Sequence, residues 1–117
     1  MNFSTSTIED FERATSGEID ALPFGVIGLD SEGRVEIYSA TESRLAGLSS
    51  DRVLGRHFFS AVAPCMNNYM VAQRFEDEAE FDATIDYVLT LRMKPTPVKL
   101  RILKSMAALR RYILVQR

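Results

Sequence analysis

The chain has 117 residues, of which 46% are hydrophobic and 26% are charged, and its formal net charge is −2. That length suits one domain with a hydrophobic core and is too short for two. No apolar run approaches the roughly 18–20 residues that a membrane-spanning helix needs. The polar, acidic first twenty residues are unlike a signal peptide. A single cysteine excludes an intramolecular disulfide, so we expect a cytoplasmic protein with no membrane partner.

The charges are unevenly distributed along the chain. Acidic residues crowd into the stretch "EDEAEFDATID" and into the first twenty residues. The last third is basic and contains Arg92, Lys94, Lys99, Arg101, Lys104, Arg110, Arg111 and Arg117. A basic tract is one feature of nucleic-acid binding, but no recognition motif accompanies it and the whole chain is acidic, so we expect no nucleic-acid partner. The simpler interpretation is that acidic segments of this chain or of a partner lie against the tract.

The first half of the chain predicts a helix, a β-hairpin and then short helices. "STIEDFERA" begins with residues that cap helices and predicts a short N-terminal helix. Residues 24–29 predict a strand, "DSEG" a tight turn, and "RVEIYSA" the second strand of a hairpin. Strict alternation in that second strand places Val35 and Ile37 on one face and Tyr38 on the other. "TESRLAGL" and "SSDRVLG" predict short helices.

The second half predicts one longer helix followed by strands. "MVAQRFEDEAEFDATI" places Val71, Phe75, Ala79 and Ala83 on one helical stripe. "DYVLTLRM", "KPTPVKLRILK" and "YILVQR" predict three strands. Strands on either side of a central helical block favour an α+β domain with an antiparallel sheet of about five strands and helices on one side. We expect residues 1–19 to form a short helical N-terminal cap and residues 20–117 to form the domain.

The sequence carries no recognised catalytic or metal-binding motif. It has no CxxC, HExxH or GxGxxG pattern, so we expect neither a metal site nor enzymatic activity. One alternative is an enzyme with Cys65 as nucleophile and His57 as base, although no third group orients such a pair. Cys65 follows an apolar run and a proline in "FFSAVAPC", which suits either an inert buried thiol or a point of covalent attachment. Met66, Met70 and Met93 are expected in the core.

Three segments in order resemble a known family. "LPFGVIGLDSEGRVEIYSATESRLAG" resembles the opening of a PAS domain, a common bacterial sensor fold. Together with "VLGRHFFSAVAPC" and "RMKPTPVKLRILK", it resembles the photoactive yellow proteins over the chain from about Asp20 onward. This resemblance implies a PAS fold that carries p-coumaric acid (4-hydroxycinnamic acid) as a thioester on one cysteine. It also implies a blue-light sensor that signals through a downstream protein.

The resemblance assigns roles to individual positions. Cys65 matches the cysteine that carries the chromophore, Tyr38 the tyrosine that donates a hydrogen bond to its phenolate, and Glu42 the buried acid that shares the phenolate. Tyr87 matches an aromatic position of the pocket. The positions that match the pocket wall are Phe58, Val62, Ala63 and Met93. The N-terminal segment is free either to cap its own sheet or to pair with a second copy of the chain, which would make a homodimer.

Other positions depart from the family pattern. Ala46 stands where the family usually has a threonine, and Leu48 stands where the best-known members have an arginine. Leu89 and Leu91 replace aromatic residues. These changes make the predicted pocket more aliphatic. They leave two alternatives: a chromophore with shifted properties, or a light-independent PAS module that binds another small ligand or mediates dimerisation and signalling interactions.

Overall fold

A computed structural model describes residues 1–117, apart from the side chain of Arg92. Its centre is one antiparallel sheet, whose strands are β1 Gly25–Leu29, β2 Val35–Tyr38, β3 Phe81–Leu89, β4 Thr96–Lys104 and β5 Arg111–Gln116. These strands lie in the order β2-β1-β5-β4-β3. The prediction of an α+β domain with a five-stranded antiparallel sheet is confirmed.

The helices are short and fall into an N-terminal pair and a central block. They are α1 Ile8–Arg13, α2 Ser16–Asp20, α3 Ala40–Ala46, α4 Ser50–Val53 and α5 Ala72–Asp77. A π-helical turn at Phe58–Val62 and a 3₁₀ turn at Pro64–Met66 lie between α4 and α5, and a second 3₁₀ turn spans Leu91–Met93. Within the described residues, no helix is both long and apolar enough to cross a bilayer.

Each face of the sheet has its own hydrophobic core. The central block covers one face, and its side chains pack there on sheet residues such as Ile27, Leu100 and Ile113; we call this the main core. The N-terminal pair covers the opposite face, where Phe11 and Ile19 pack with other sheet side chains; we call this the cap core. The N-terminal segment therefore caps its own sheet.

Arg101 fastens the N-terminal segment to the sheet. Its side chain is almost fully buried, and its Nη1 donates to the carbonyl oxygens of Phe3 at 3.0 Å and Ser6 at 2.7 Å. Its Nε and Nη2 donate to the Asp82 carboxylate at 2.9 and 2.7 Å. Further ion pairs between the basic tract and acidic residues of the same chain are Lys99–Asp86, Arg110–Glu36 and Arg117–Glu42. Acidic residues of this chain thus lie against its basic tract.

The prediction of one long helix from residue 70 to 85 is wrong. Helix α5 ends at Asp77, and Glu78 is already extended, with φ −107° and ψ 136°. From Phe81 onward the chain is strand β3, in which half-buried residues alternate with exposed ones. Phe81, Ala83 and Ile85 are spaced by two, and they pack on the main core when β3 pairs along its whole length with β4. Long-range pairing overrides the local helical pattern here.

Candidate functional site

A β-bulge turns Tyr38 toward the main core. In the ladder between β1 and β2, Ile37 and Val35 lie opposite consecutive residues of β1, which leaves Glu36 as an extra residue. One inserted residue reverses the alternation, so Val35 and Tyr38 both join the main core while Ile37 packs against the cap core. The predicted strict alternation is therefore wrong. Tyr38 is only 7% exposed.

Glu42 lies in the first turn of α3, one helical turn after Tyr38. Ser39 caps this helix, and its hydroxyl oxygen accepts hydrogen bonds from the backbone N–H groups of Glu42 at 3.2 Å and Val26 at 3.0 Å. This cap ties the start of α3 to strand β1. Glu42 as a whole residue is 1% exposed, and its side chain lies directly over Gly25, where an added Cβ would stand only 2.0 Å from Oε1. A side chain at position 25 would therefore displace the carboxyl group.

Arg117 pairs with Glu42 from the far end of the chain. Its Nη1 donates to Oε1 at 2.8 Å and its Nη2 donates to Oε2 at 3.2 Å, which is the two-pronged geometry of a strong charge-assisted pair. The Arg117 side chain is 18% exposed and that of Glu42 is 2% exposed. The pair forms because β5 runs antiparallel to β1, with Val115 opposite Gly25, and Arg117 follows two residues later.

Sequence reasoning missed Arg117. Ile113 and Val115 both point into the main core. Residues spaced by two along a strand share a face, so continuing the series places Arg117 on the inner side of the sheet. This spacing by two was the signal in the sequence that could have identified Arg117. It does not show that the partner of Arg117 is Glu42, 75 residues away.

Burial controls the ionisation of Tyr38 and Glu42. It raises the pKa of the Glu42 carboxyl group above its ordinary value, and the Arg117 guanidinium partly opposes that rise. Burial, reinforced by the nearby Glu42 carboxylate, raises the pKa of the Tyr38 hydroxyl group strongly. Tyr38 therefore keeps its proton at neutral pH and can donate a hydrogen bond. Both oxygens of Glu42 accept from Arg117, as a carboxylate does.

Cys65 lies on the 3₁₀ turn Pro64–Met66 and packs against the same main core as Tyr38. It is a free, half-buried cysteine. Its backbone carbonyl oxygen accepts hydrogen bonds from the Tyr87 hydroxyl group at 2.5 Å and from Asn68 Nδ2 at 3.2 Å. Asn68 Nδ2 also donates to the Tyr87 oxygen at 2.6 Å. These bonds fix the backbone of the cysteine turn and do not involve the thiol.

The other residues predicted for the pocket wall separate into two groups. Phe58 and Ala63 are 1% exposed and belong to the main core, and Val62 packs against it. Met93 is 96% exposed and has a left-handed backbone, with φ 60°. The expectation that Met93 lies in the core is wrong, because the turn after β3 carries it to the surface. The role of these four residues around a chromophore stays a prediction.

His57 has a structural role in its own segment. Its Nδ1 accepts a hydrogen bond from the Ser60 backbone N–H at 3.3 Å and caps the π-helical turn. Among the hydrogen bonds of the described residues, none joins His57 to Cys65. The described side chains also contain no group of three or more His, Cys, Asp or Glu residues placed to hold a metal ion.

Comparison with known proteins identifies the family to which the chain belongs. A family model described as PAS fold matches residues 19–89, so fold and sequence together define a PAS domain. The photoactive yellow protein of Rhodothalassium salexigens is 33% identical over 116 residues, covering 93% of each chain. That of Halochromatium salexigens is 31% identical over 121 residues, covering 100% of this chain and 97% of the relative. The chain belongs to the photoactive yellow protein family of PAS domains.

A solved structure agrees with this membership. The crystal structure of the photoactive yellow protein domain from the sensor histidine kinase Ppr of Rhodospirillum centenum superimposes with a TM-score of 0.83. It is 38% identical, and the match covers 91% of this chain and 96% of that one. The PAS domain of an HTR-like protein from Haloarcula marismortui, 14% identical with a TM-score of 0.68, shares the fold alone.

Proposed function

We propose that this chain is a blue-light photoreceptor domain that holds p-coumaric acid as a thioester on Cys65, with the phenolate hydrogen-bonded by Tyr38 and Glu42. The observation that carries the proposal is the burial of Tyr38 and Glu42 next to each other, with Cys65 packed against the same core as Tyr38. When bound, the cinnamoyl group would supply light absorption and isomerisation. The membership of this chain in the photoactive yellow protein family supports p-coumaric acid as the ligand.

Tyr38 fits a phenolate without any change. A buried anion is costly unless hydrogen-bond donors compensate it. The hydroxyl group of Tyr38 stays protonated because burial and Glu42 raise its pKa, so it is a donor throughout the neutral range. Its position on the inner face of β2 directs this residue to the main core rather than to solvent.

Glu42 fits a phenolate as a carboxylic acid rather than as a carboxylate. Burial raises its pKa and so favours the acid, which could donate a short hydrogen bond to an anion beside it. If Glu42 gave its proton to the phenolate oxygen beside it, Glu42 would be left as a buried carboxylate, and such a charge can loosen a packed domain. In this proposal, that local charge change is the event that a downstream partner reads.

Cys65 would hold the ligand through its sulfur. Acylation forms a bond between Sγ and the carbonyl carbon of activated p-coumaric acid; the bond from that carbon to the leaving group breaks, and the thiol proton is released. Tyr87 and Asn68 already hold the backbone of the turn through the Cys65 carbonyl oxygen, so the segment that carries the sulfur is in place before acylation. We propose a cytoplasmic location, a non-enzymatic role and a signalling partner not defined by this chain.

Reconstitution tests the proposal. Purified protein mixed with activated p-coumaric acid should become yellow, absorb in the blue and gain the mass of one coumaroyl group on Cys65. The Cys65→Ala variant should gain none. In the loaded protein, Glu42→Gln should move the absorption to lower energy, because a neutral amide donates a weaker hydrogen bond to the phenolate than a carboxylic acid does. A colourless protein with an unmodified thiol would refute the proposal.

A light-independent PAS module is the second candidate function. It is favoured by one observation: both oxygens of Glu42 are already engaged by Arg117, so the carboxylate has no proton to donate to a phenolate. Such a module would bind another small ligand or act as a dimerisation and interaction domain. It predicts a partner or a dimer without any chromophore, and an almost silent Cys65→Ala variant.

A further inference from the structure

Arg117 is the cation that hydrogen-bonds to Glu42, the acid of the proposed phenolate site. It holds both oxygens of Glu42, at 2.8 and 3.2 Å, and only 18% of its side chain is exposed. A guanidinium presents its donors in a rigid fork, so a pair of this geometry is fixed in direction as well as charge. Arg117 also borders a cavity of about 410 Å³ whose lining includes Ala46, Leu89 and Leu91, three of the aliphatic departures from the family pattern.

Among the described side chains, the elements packed around Glu42 contribute few charged groups; one is Asp20 of α2, whose Oδ1 accepts a hydrogen bond from the Ala40 backbone N–H at 2.8 Å. Strand β1, which packs against α3, contributes no titratable side chain. Strand β2 contributes Tyr38, which remains neutral because its pKa is raised. The end of β5 contributes Arg117. The state of the Glu42 carboxyl group is therefore set by burial, which favours the acid, and by Arg117, which favours the carboxylate.

We infer that Arg117 determines whether the proton shared by the bound phenol and Glu42 lies on the phenol oxygen or on the carboxyl group. By holding Glu42 as a carboxylate, Arg117 favours the protonated phenol over the phenolate. This inference rests on the proposed function. A phenol bound between Tyr38 and Glu42 shares one exchangeable proton with the Glu42 carboxyl group. Placing the proton on the phenol preserves the ion pair; placing it on Glu42 removes a charge from that pair.

The consequence is a chromophore with two ground-state forms. A phenolate next to a Glu42 carboxylate would put two anions side by side, which disfavours that arrangement. The competing forms are then phenol with Glu42 carboxylate, and phenolate with Glu42 acid. Because Arg117 donates to Glu42 through both Nη1 and Nη2, it stabilises the form with phenol and Glu42 carboxylate more than the form with phenolate and Glu42 acid. The phenol form absorbs at shorter wavelength than the yellow phenolate form, so the two are distinguishable by their absorption.

The first measurement uses the protein without chromophore. The Glu42 carboxyl group is titrated by ¹³C NMR or by its infrared carbonyl band, in the wild type and in Arg117→Gln. Removing the guanidinium should raise the pKa of Glu42, because burial then acts without opposition. Arg117→Lys keeps the charge without the fork of donors, so the pKa of Glu42 in this variant should lie between its values in the wild type and in Arg117→Gln. Arg110→Gln is the matched control, since it removes an arginine that pairs with exposed Glu36 and should leave Glu42 unchanged.

The second measurement uses protein loaded with p-coumaric acid. The ratio of phenolate to phenol is read from the absorption spectrum at fixed pH, and the adduct is counted by intact mass. Arg117→Gln should raise this ratio roughly tenfold or more, the effect expected from removing one close opposite charge from a buried carboxylate. Arg110→Gln should leave the ratio unchanged.

The outcomes separate the inference from the proposed function. An adduct whose ratio does not change in Arg117→Gln overturns the role of Arg117 and leaves the chromophore in place. A ratio that falls also overturns it, because Arg117 would then stabilise the phenolate directly. Absence of any adduct refutes the proposed function and the inference with it, and the titration without chromophore then reports on the Arg117–Glu42 pair alone.

Discussion

Replacing Gly25 with alanine should displace Glu42 from its buried position. The added Cβ would stand 2.0 Å from Oε1, 2.9 Å from Cδ and 3.0 Å from Cβ of Glu42. An ordinary contact begins near 3.4 Å, so the oxygen must move by about 1.4 Å. Three atoms of the side chain are crowded at once, so rotation of its tip alone does not relieve the contact. The displacement should break the two hydrogen bonds to Arg117.

The expected loss of stability is about 3 kcal/mol, the lower end of the range for breaking a buried ion pair. At ordinary urea m-values this lowers the urea midpoint by roughly 1–3 M. Gly17→Ala is a matched control, because the nearest atom to an added Cβ there is Thr15 Oγ1 at 4.0 Å. In α2 that substitution should be neutral or stabilising by up to about 1 kcal/mol.

A double-mutant cycle tests the stated cause. In a Glu42→Ala background the crowded carboxyl group is gone, so Gly25→Ala should cost less than about 1 kcal/mol. Equal costs in both backgrounds would refute the reasoning, since the strain would then come from the backbone of β1 rather than from Glu42. Urea unfolding of the four proteins, followed by circular dichroism, provides the comparison.

Three further predictions concern stability. Arg101→Gln should cost about 3 kcal/mol in urea unfolding and expose the N-terminal cap to proteolysis, whereas Lys99→Gln, which breaks an exposed pair, should cost less than about 1 kcal/mol. Tyr87→Phe should lower stability by about 1 kcal/mol through loss of the hydrogen bond to the Cys65 carbonyl, and an unchanged Tm would contradict this. Burial raises the pKa of Glu42 above its ordinary value of 4.5. The stability that the protonated Glu42 contributes is therefore complete below pH 4.5 and is lost as the pH rises through the higher pKa of the folded state. Glu42→Gln should therefore gain stability relative to wild type as pH rises; parallel profiles would contradict this.

Local patterns predicted much of the fold. The alternation in Val98, Leu100 and Ile102 identified β4, and the capping residues at Thr7 identified the start of α1. The segment after Asp77 was predicted wrongly because its apolar residues fit both the spacing of a helix and the spacing by two of a strand. Their pairing with a strand 15 or more residues later decided between those periods, and that partner is not visible within the segment.

The site was less predictable than the fold. Cys65, Tyr38 and Glu42 were selected through family resemblance, whereas period-2 reasoning placed Tyr38 on the wrong face because the extra residue Glu36 leaves no local signal. Arg117 was missed since its contact with Glu42 depends on the pairing of β5 with β1. Contacts between distant elements thus determine the electrostatics of this site.

A pulse of blue light on the loaded protein tests the central proposal most directly. The absorption should change within the pulse and recover in the dark, and the change should require Cys65 as the attached residue. Replacing Glu42 with glutamine should alter the recovery, because no carboxylic proton is then available at the phenolate. An adduct on Cys65 whose absorption does not respond to light would contradict the photoreceptor function and favour the light-independent module.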